Sequence, residues 1–314
     1  MKKDIAYFKL RLKKVCYYLS ETIKISLPAD KKLNNIQNDL IDNPKILDRV
    51  NYYCKDMPKY LTSDDAVEVG KFKKSKSFAY YADTKRIVKN FPKNYKFNYV
   101  FGDVVHIPET PSFVKSRPIS DGNQNSVLLK LNAIRHYQFL EDKTHFIDKK
   151  GVAVWRGHIH QEHRTILVNK FYANELCNIG HCDDEKDYEE SYKGFLSVDE
   201  QLQYKYIISI EGKDVATNLK WIMSSNSLCF MRKPRFETWY MEGKLVAGVH
   251  YVQLKDDFSD LEEKIIYFNK NADEALVIIA NAQAYTKQFL DKKTEEVIGV
   301  MVAEKYFKMS KQLM

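Results

Sequence analysis

The stretch YKYIISIEGKDVATNLKWIMSSNSLCFM (204–231) decides the fold, because two apolar runs in it flank a helical pattern. YIISI (206–210) and SLCFM (227–231) are short and apolar, as buried strands are, and the pattern between them predicts a helix over 214–224. Strands that alternate with helices of this length form βαβ units around a parallel sheet. The stretch therefore predicts an α/β fold.

The same alternation continues on both sides of this stretch. VAVW (152–155) precedes a predicted helix over 161–172, and VHYVQL (249–254) precedes a predicted helical stretch over 259–290. In the N-terminal half, FNYVF (97–101) predicts a strand, and the apolar spacing after it predicts a helix over 125–140. A last helix is predicted over 292–313.

The chain has 314 residues, which is enough for two medium-sized domains. The change in character near residue 151 predicts an N-terminal domain over 1–150 and a second domain over 151–290. We expect residues 291–314 to form a helix that returns to the N-terminal domain.

Positive charge is concentrated in the N-terminal third of the chain. Residues 1–100 contain 22 Lys and Arg against 11 Asp and Glu, although the whole chain carries only +8. Within the first 20 residues, Ile5, Phe8, Leu10, Val15 and Leu19 alternate with basic residues, which predicts an amphipathic basic helix. Such a helix binds an anionic membrane face or packs on the body of the protein. A basic module that binds membrane or nucleic acid without catalysis is one functional alternative.

Several classes of protein are excluded by what the sequence lacks. No run approaches the ~18 apolar residues that span a bilayer, and the first residues lack the apolar core of a secretory signal. Five cysteines without a CxxC pair favour a reducing cytoplasm over a disulfide framework or a zinc site. GxGxxG and P-loop motifs are absent, and no DxD triplet is present to place a metal on a sugar-nucleotide diphosphate.

Phosphate-binding chemistry is indicated where predicted strands run into turns. A nucleotide diphosphate needs cations, backbone N–H groups and a glycine that permits close approach, and parallel sheets bind ligands at the carboxyl ends of their strands. Arg156 and Gly157 follow one strand, and Glu211 and Gly212 follow another. The candidate donor-binding residues are Arg156, Gly157, Arg164, Glu211, Gly212, Val215, Ala216, Thr217, Asn218 and Lys220. Each is also a common turn or surface residue when taken alone.

Three blocks in this order resemble glycosyltransferase family 90. They are AVWRG (153–157) followed by HR (163–164), then YKYIISIEGKDVATNLKWIMSSNSL (204–228), then GVHYVQLKDDFSDLEEKI (248–265). FNYVFGDVVHIPETPSFVKSRPI (97–119) is similar to the bacterial lipopolysaccharide branch of that family. Two positions depart from the family pattern, since Gln253 stands where proline is usual and Asn218 where eukaryotic members carry arginine.

The resemblance implies a GT-B architecture, with two Rossmann-like domains, a parallel sheet in each and the active site in the cleft between them. It also implies an inverting, metal-independent transfer of a sugar from a nucleotide-sugar to a glycan or lipid-linked glycan. The donor is expected to be a UDP-sugar. No other cofactor is expected, and no nucleic acid is expected as a partner. By its position, Asp103 resembles the aspartate that serves as catalytic base in the family. Without this resemblance, Gly102-Asp103 would be interpreted as a turn at the end of a strand. Glu237 and Glu211 are candidates for the nucleotide ribose, with a surface or capping role as the alternative. Lys115, Arg117 and His136 are candidates for phosphate or acceptor contacts, and the alternative for this basic group is an ion pair between the domains.

The resulting prediction is a cytoplasmic enzyme, peripheral on the inner face of the cytoplasmic membrane, that modifies lipopolysaccharide core or O-antigen. A protein O-glycosyltransferase of the same family is the second alternative.

Overall fold

The computed structural model describes residues 12, 15–17, 19–23, 25–26, 40–57, 60, 63–74, 77–182 and 190–313. These residues belong to two compact units. The first unit comprises 136–234 and 244–288, and the second comprises the described residues up to 135 together with 235–243 and 289–313. The predicted domain limits at 150 and 290 stay predictions.

The helices and strands are numbered here in chain order. The strands are β1 (Val67–Glu68), β2 (Lys96–Val100), β3 (Ser112–Val114), β4 (Ser116–Pro118), β5 (Ser126–Leu128), β6 (Lys150–Gly157), β7 (Cys177–His181), β8 (Tyr204–Ser209), β9 (Leu228–Arg232), β10 (Phe236–Thr238) and β11 (Val252–Leu254). The helices are α1 (Pro44–Tyr53), α2 (Phe78–Val88), α3 (Ala133–His136), α4 (Glu162–Phe171), α5 (Val198–Gln201), α6 (Leu219–Met223), α7 (Leu261–Lys270), α8 (Ala272–Lys287) and α9 (Lys292–Met309).

The first unit is built on a five-stranded sheet in which every neighbouring pair is parallel. One face of this sheet presents alternate residues of its strands, such as Trp155, Ile208 and Phe230, which are buried. This face packs against apolar side chains of α4, α7 and α8, including Leu167 and Ile265. The buried alternate side chains of the strands and the apolar faces of these helices therefore form one hydrophobic core. The predicted parallel sheet is confirmed for this unit.

The strand order fixes where this sheet can bind a ligand. Across the sheet the order is β11-β9-β8-β6-β7, so the chain moves outward from β6 to β7 and then crosses back to β8 on the other side of β6. In parallel sheets of this order the crevice at the carboxyl ends of the two central strands lies at a topological switch point. For this unit the switch point is between the ends of β6 and β8.

The second unit contains a four-stranded sheet of order β1-β2-β3-β5. The pairs β2–β3 and β3–β5 are parallel, and β1 is an antiparallel edge strand, so the sheet is mixed and only partly matches the predicted parallel sheet. A separate antiparallel pair joins β4 to β10, which brings 235–243 into this unit. Helix α9 packs on α1 and α2.

The structure corrects three predicted helices. Residues 126–128 form β5, because Ser126, Val127 and Leu128 are buried beside β3, and the positive φ of 53° at Asn132 prevents a continuous helix over 125–140. The helix predicted over 214–224 is the five-residue α6, preceded by a turn. The stretch predicted over 259–290 is two helices, because the backbone leaves the helical region at Asn271.

The other strands and helices agree with the patterns read from the sequence. The strands predicted at 97–101, 152–155, 206–210 and 227–231 are β2, β6, β8 and β9, and the helices predicted over 161–172 and 292–313 are α4 and α9. The predicted N-terminal helix lies partly outside the described residues, but those that are described between 12 and 26 are α-helical. No helix in the described part of the chain is long and apolar enough to cross a membrane.

Candidate active site

The loops at the switch point of the first unit contain most of the candidate donor-binding residues. Strand β6 ends at Gly157, and strand β8 ends at Ser209, two residues before Glu211. A Cβ added to Gly157 would lie 2.7 Å from a carbon of the Trp155 ring, so a side chain at this position would displace that buried ring. The sequence needs glycine here to keep the strand end packed on the core.

Arg164 joins the two loops of the switch point. From helix α4 its guanidinium donates to the carbonyl oxygen of His158 at 3.0 Å, beyond β6, and to those of Ile210 and Glu211 at 3.1 and 3.0 Å, beyond β8. A planar guanidinium presents five donors in a fixed fork, which suits it to hold several carbonyls at once. Arg164 therefore sets the width of the crevice between the two strand ends.

His163 supports the same junction in its neutral form. Its Nε2 lies 2.8 Å from the carbonyl oxygen of Glu211. Burial lowers the pKa of His163, so the imidazole is neutral near pH 7 and carries its proton on Nε2, since the carbonyl can only accept. Glu211 thus receives hydrogen bonds from two successive residues of α4.

Gly212 lies directly against Arg164. The nearest heavy atoms to a Cβ added here would be a terminal nitrogen of Arg164 at 3.4 Å and the carbonyl oxygen of Val215 at 3.9 Å. The Gly212 N–H donates to Val215 at 3.4 Å and closes a turn. A glycine at a strand end, beside a guanidinium, is the arrangement that admits a phosphate close to the backbone.

Arg156 lies at the same strand end but is directed toward β7. Its guanidinium donates to the carbonyl oxygen of Trp155 at 2.8 Å, to that of Asn178 at 2.7 Å and to the Asn178 side chain at 2.6 Å. Burial lowers the pKa of Arg156 from its ordinary value, although arginine remains protonated at neutral pH. A donor contact by Arg156 stays a prediction.

The remaining residues of the 211–220 segment are largely turned inward. Val215 and Ala216 are buried, and the Asn218 side chain bonds Ser209 Oγ and the Ile208 carbonyl at 3.1 Å each. Thr217 is half-buried. The helix predicted to begin at residue 214 begins only at Leu219 and has five residues. Donor contacts by the residues of 215–218 stay predictions. Lys213, in the turn closed by Gly212, is the exposed residue of this segment.

Lys220 is fully buried, with its ammonium 5.9 Å from the centre of the Tyr137 ring. His136, predicted as an acceptor or phosphate contact, is also buried in the first unit.

Arg232 is a charged residue of this edge that sequence reasoning missed. It ends β9 and lies 2.5 Å from a carboxylate oxygen of Glu211, while its side chain is only 5% exposed. It also donates to the Asp256 carbonyl at 3.4 Å. The rule that selected Arg156, a basic residue at the carboxyl end of an apolar strand, would also have selected Arg232.

Asp103 is the exposed carboxylate of the second unit's sheet edge. It follows β2, and its side chain is 42% exposed. Gly102 before it has a φ of +113°, a conformation that side chains rarely adopt, so glycine is required for this turn. Lys115 Nζ lies 2.5 Å from Asp103 Oδ1. The predicted catalytic residue is therefore accessible and is held by a lysine that was predicted to contact phosphate or acceptor.

Arg117 and Glu237 form a buried ion pair in the second unit. Arg117 Nε lies 2.8 Å from Glu237, and its terminal nitrogens donate to the carbonyl oxygens of Ser126 at 3.0 Å and Tyr52 at 2.7 Å. Burial and the nearby Glu237 carboxylate raise the pKa of Tyr52, so its hydroxyl stays protonated and donates to Glu237. The structure thus surrounds both residues with internal partners, while their predicted ligand contacts stay predictions.

The described residues contain no group of three or more His, Cys, Asp or Glu side chains arranged to hold a metal ion. Transfer without a metal stays a prediction.

Comparison with known proteins identifies the class of enzyme. The chain matches the family model for glycosyl transferase family 90 over residues 127–311. It belongs to glycosyltransferase family 90 and is a glycosyltransferase, as the sequence blocks predicted.

Among its relatives, an O-glucosyltransferase LpsA of Dichelobacter nodosus is 47% identical over 264 residues, which cover 84% of this chain and 83% of that protein. Protein O-glucosyltransferase 3 of Homo sapiens is 28% identical over 167 residues, or 51% of this chain and 32% of that protein. Protein O-glucosyltransferase 2 of Danio rerio is 27% identical over 143 residues, which cover 43% of this chain and 28% of that protein.

Proposed function

We propose that this enzyme transfers glucose from UDP-glucose to a hydroxyl of a glycan acceptor of the lipopolysaccharide type. The observation that carries the proposal is the switch point of the first unit, where Arg164 ties the two strand ends and Gly212 lies against Arg164 with no side chain between them. Glucose is chosen because the relatives are named O-glucosyltransferases. The GT-B arrangement implied by the sequence resemblance is part of this proposal.

In the proposed reaction the acceptor oxygen attacks the anomeric carbon from the face opposite the diphosphate. A new C–O bond forms while the bond to the β-phosphate oxygen breaks, and UDP leaves with that electron pair. Asp103 takes the acceptor's proton, for which its exposed carboxylate is suited. Cations and backbone N–H groups stabilise the departing diphosphate without a divalent metal. Attack from the opposite face inverts the configuration.

A glycan acceptor is favoured over a protein acceptor by the extent of the similarity. The bacterial relative is matched over 83% of its length, whereas the human protein O-glucosyltransferase is matched over 32%. Acceptor recognition needs parts of the chain beyond the donor-binding segment, and those parts resemble the bacterial relative. Because the chain belongs to a family of enzymes, the alternative of a binding module without catalysis is set aside.

We expect UDP-glucose to raise the melting temperature of the enzyme more than GDP-, CMP- or TDP-sugars do. The increase with UDP-glucose should be the same in the presence and absence of EDTA. A ligand that binds only the folded state adds about 2.7 kcal/mol at a concentration 100 times its Kd. Gly212→Val should abolish the shift by pressing a side chain against Arg164, whereas Gly122→Val, at a position with nothing within 4 Å, should not. Loss of binding in EDTA, or equal shifts in both variants, would refute the metal-independent site at this turn.

We further propose that the N-terminal helical residues dock the enzyme on an anionic membrane. Leu12, Val15, Leu19 and Ile23 are 49%, 47%, 62% and 63% exposed, and their spacing of three and four residues places them on one side of a helix. Lysines and arginines are interleaved with these positions in the sequence, as in helices that lie on anionic lipid.

The opposite side of this helix is attached to the second unit. Glu21 is fully buried and lies 3.1 Å from Arg86, and the Tyr17 hydroxyl donates to Asp83 at 2.5 Å. Because these two residues hold one side of the helix on α2, its apolar side faces outward. The exposed apolar side chains can therefore enter the lipid while Tyr17 and Glu21 keep the helix attached to the second unit.

Leu19→Glu combined with Ile23→Glu is expected to lower binding to vesicles of phosphatidylglycerol and phosphatidylcholine at least tenfold. Burying one such side chain contributes about 1.5–3 kcal/mol. Sedimentation measures the bound fraction, and Val277→Glu, at a position 61% exposed on α8, is the matched control. If the double variant binds as the control does, this face is not the docking surface.

A further inference from the structure

We propose that Lys115 is a positioning residue for the general base, rather than a contact for phosphate or acceptor. This inference rests on the proposed role of Asp103 in the reaction. Lys115 is fully buried, whereas the Asp103 side chain that it bonds is 42% exposed. The lysine thus lies beneath the carboxylate and holds it from the protein side.

The sheet itself brings these two residues together. Strands β2 and β3 are parallel neighbours, with Val100 opposite Val114. Asp103 lies three residues beyond the end of β2, and Lys115 lies one residue beyond the end of β3. Both side chains therefore come from the carboxyl ends of adjacent strands, which is where parallel sheets position functional groups.

The backbone on both sides of Asp103 is fixed as well. Gly102 adopts a φ of +113°, and the Ser116 hydroxyl bonds both the N–H and the carbonyl oxygen of Val104 at 3.2 Å. With the backbone held, the remaining freedom of Asp103 is the rotation of its carboxylate. The bond from Lys115 to Oδ1 restricts that rotation, and no hydrogen bond to Oδ2 is found among the described residues. Oδ2 is then the atom that receives the acceptor's proton.

Burying an ammonium group is unfavourable unless it is paired. A methionine would fill the same space beneath the turn without this cost. A lysine at this position therefore has a purpose other than packing, and its bond to Asp103 Oδ1 joins it to the proposed base.

The test is a double-mutant cycle between Lys115→Met and Asp103→Asn, with turnover and donor KM measured for each variant. In the presence of Asp103, we expect Lys115→Met to lower kcat roughly ten- to hundredfold, as misplacement of a catalytic group does, while the donor KM changes less than about twofold. In the Asp103→Asn background the same change should alter kcat less than about twofold, because the group that Lys115 positions no longer acts.

Lys130→Met is the matched control, because Lys130 is a largely buried lysine of the same unit, 3.2 Å from Glu295. It should leave kcat unchanged. If Lys115→Met does not fold, Lys115→Arg takes its place in the cycle, since its longer side chain keeps the charge but moves the donor. Equal losses in both backgrounds would overturn the positioning role while leaving Asp103 as base. A fully active Asp103→Asn enzyme would overturn the base assignment, and the positioning role with it.

Discussion

Replacing Asp103 by Asn is expected to lower turnover by roughly 10²- to 10⁴-fold, the loss that follows removal of a general base. The amide is nearly the same size as the carboxylate, and it is a good turn residue, so the bend after Gly102 should survive. It cannot accept the proton of the acceptor hydroxyl. The chemical step should therefore slow while UDP-glucose binding, measured by calorimetry, stays near normal.

Asp121→Asn is the matched control for this prediction, since Asp121 is an exposed aspartate of the same unit. We expect it to retain wild-type turnover. An Asp103→Asn enzyme that keeps more than about a tenth of wild-type turnover falls outside the range of general-base loss. A large loss in the Asp121 variant would instead place the base there.

The strands of the first unit could be predicted because both faces of the sheet are covered. Strands such as β8 and β9 then appear as continuous apolar runs, which few other local structures produce. Residues 125–140 were misread because Val127, Leu128 and Leu131 fit a helical spacing equally well. What decides their structure is pairing with β3, which is a tertiary contact that local spacing does not contain.

From the sequence, residues of the candidate site could be predicted only where they directly follow a predicted strand. Gly157 and Gly212 were identified by this rule, and the strand order then places both at the switch point. The bond between Asp103 and Lys115 depends on which strands are neighbours and in what register, so it could not be derived from either residue. The same holds for Arg117 and Glu237, which are 120 residues apart.

Arg117→Met is expected to destabilise the second unit by about 3–5 kcal/mol, the cost of leaving a buried charge without its partner. Arg117 is fully buried, and Glu237 would lose its ion pair at 2.8 Å. The carbonyl oxygens of Ser126 and Tyr52 would lose donors as well, so part of the cost falls on β5 and on helix α1. Urea unfolding followed by tryptophan fluorescence measures the change, because Trp239 lies two residues from Glu237.

The double variant Arg117→Met with Glu237→Leu separates the charge from the other contacts. Replacing both members of a buried ion pair by apolar side chains is often neutral or stabilising, so this variant should recover much of the stability lost in Arg117→Met. The carbonyls left without donors limit that recovery. If the double variant is as unstable as Arg117→Met, the unpaired carboxylate is not the source of the loss. The hydrogen bonds from Arg117 to the backbone of β5 and α1 would then be what this guanidinium contributes to the fold.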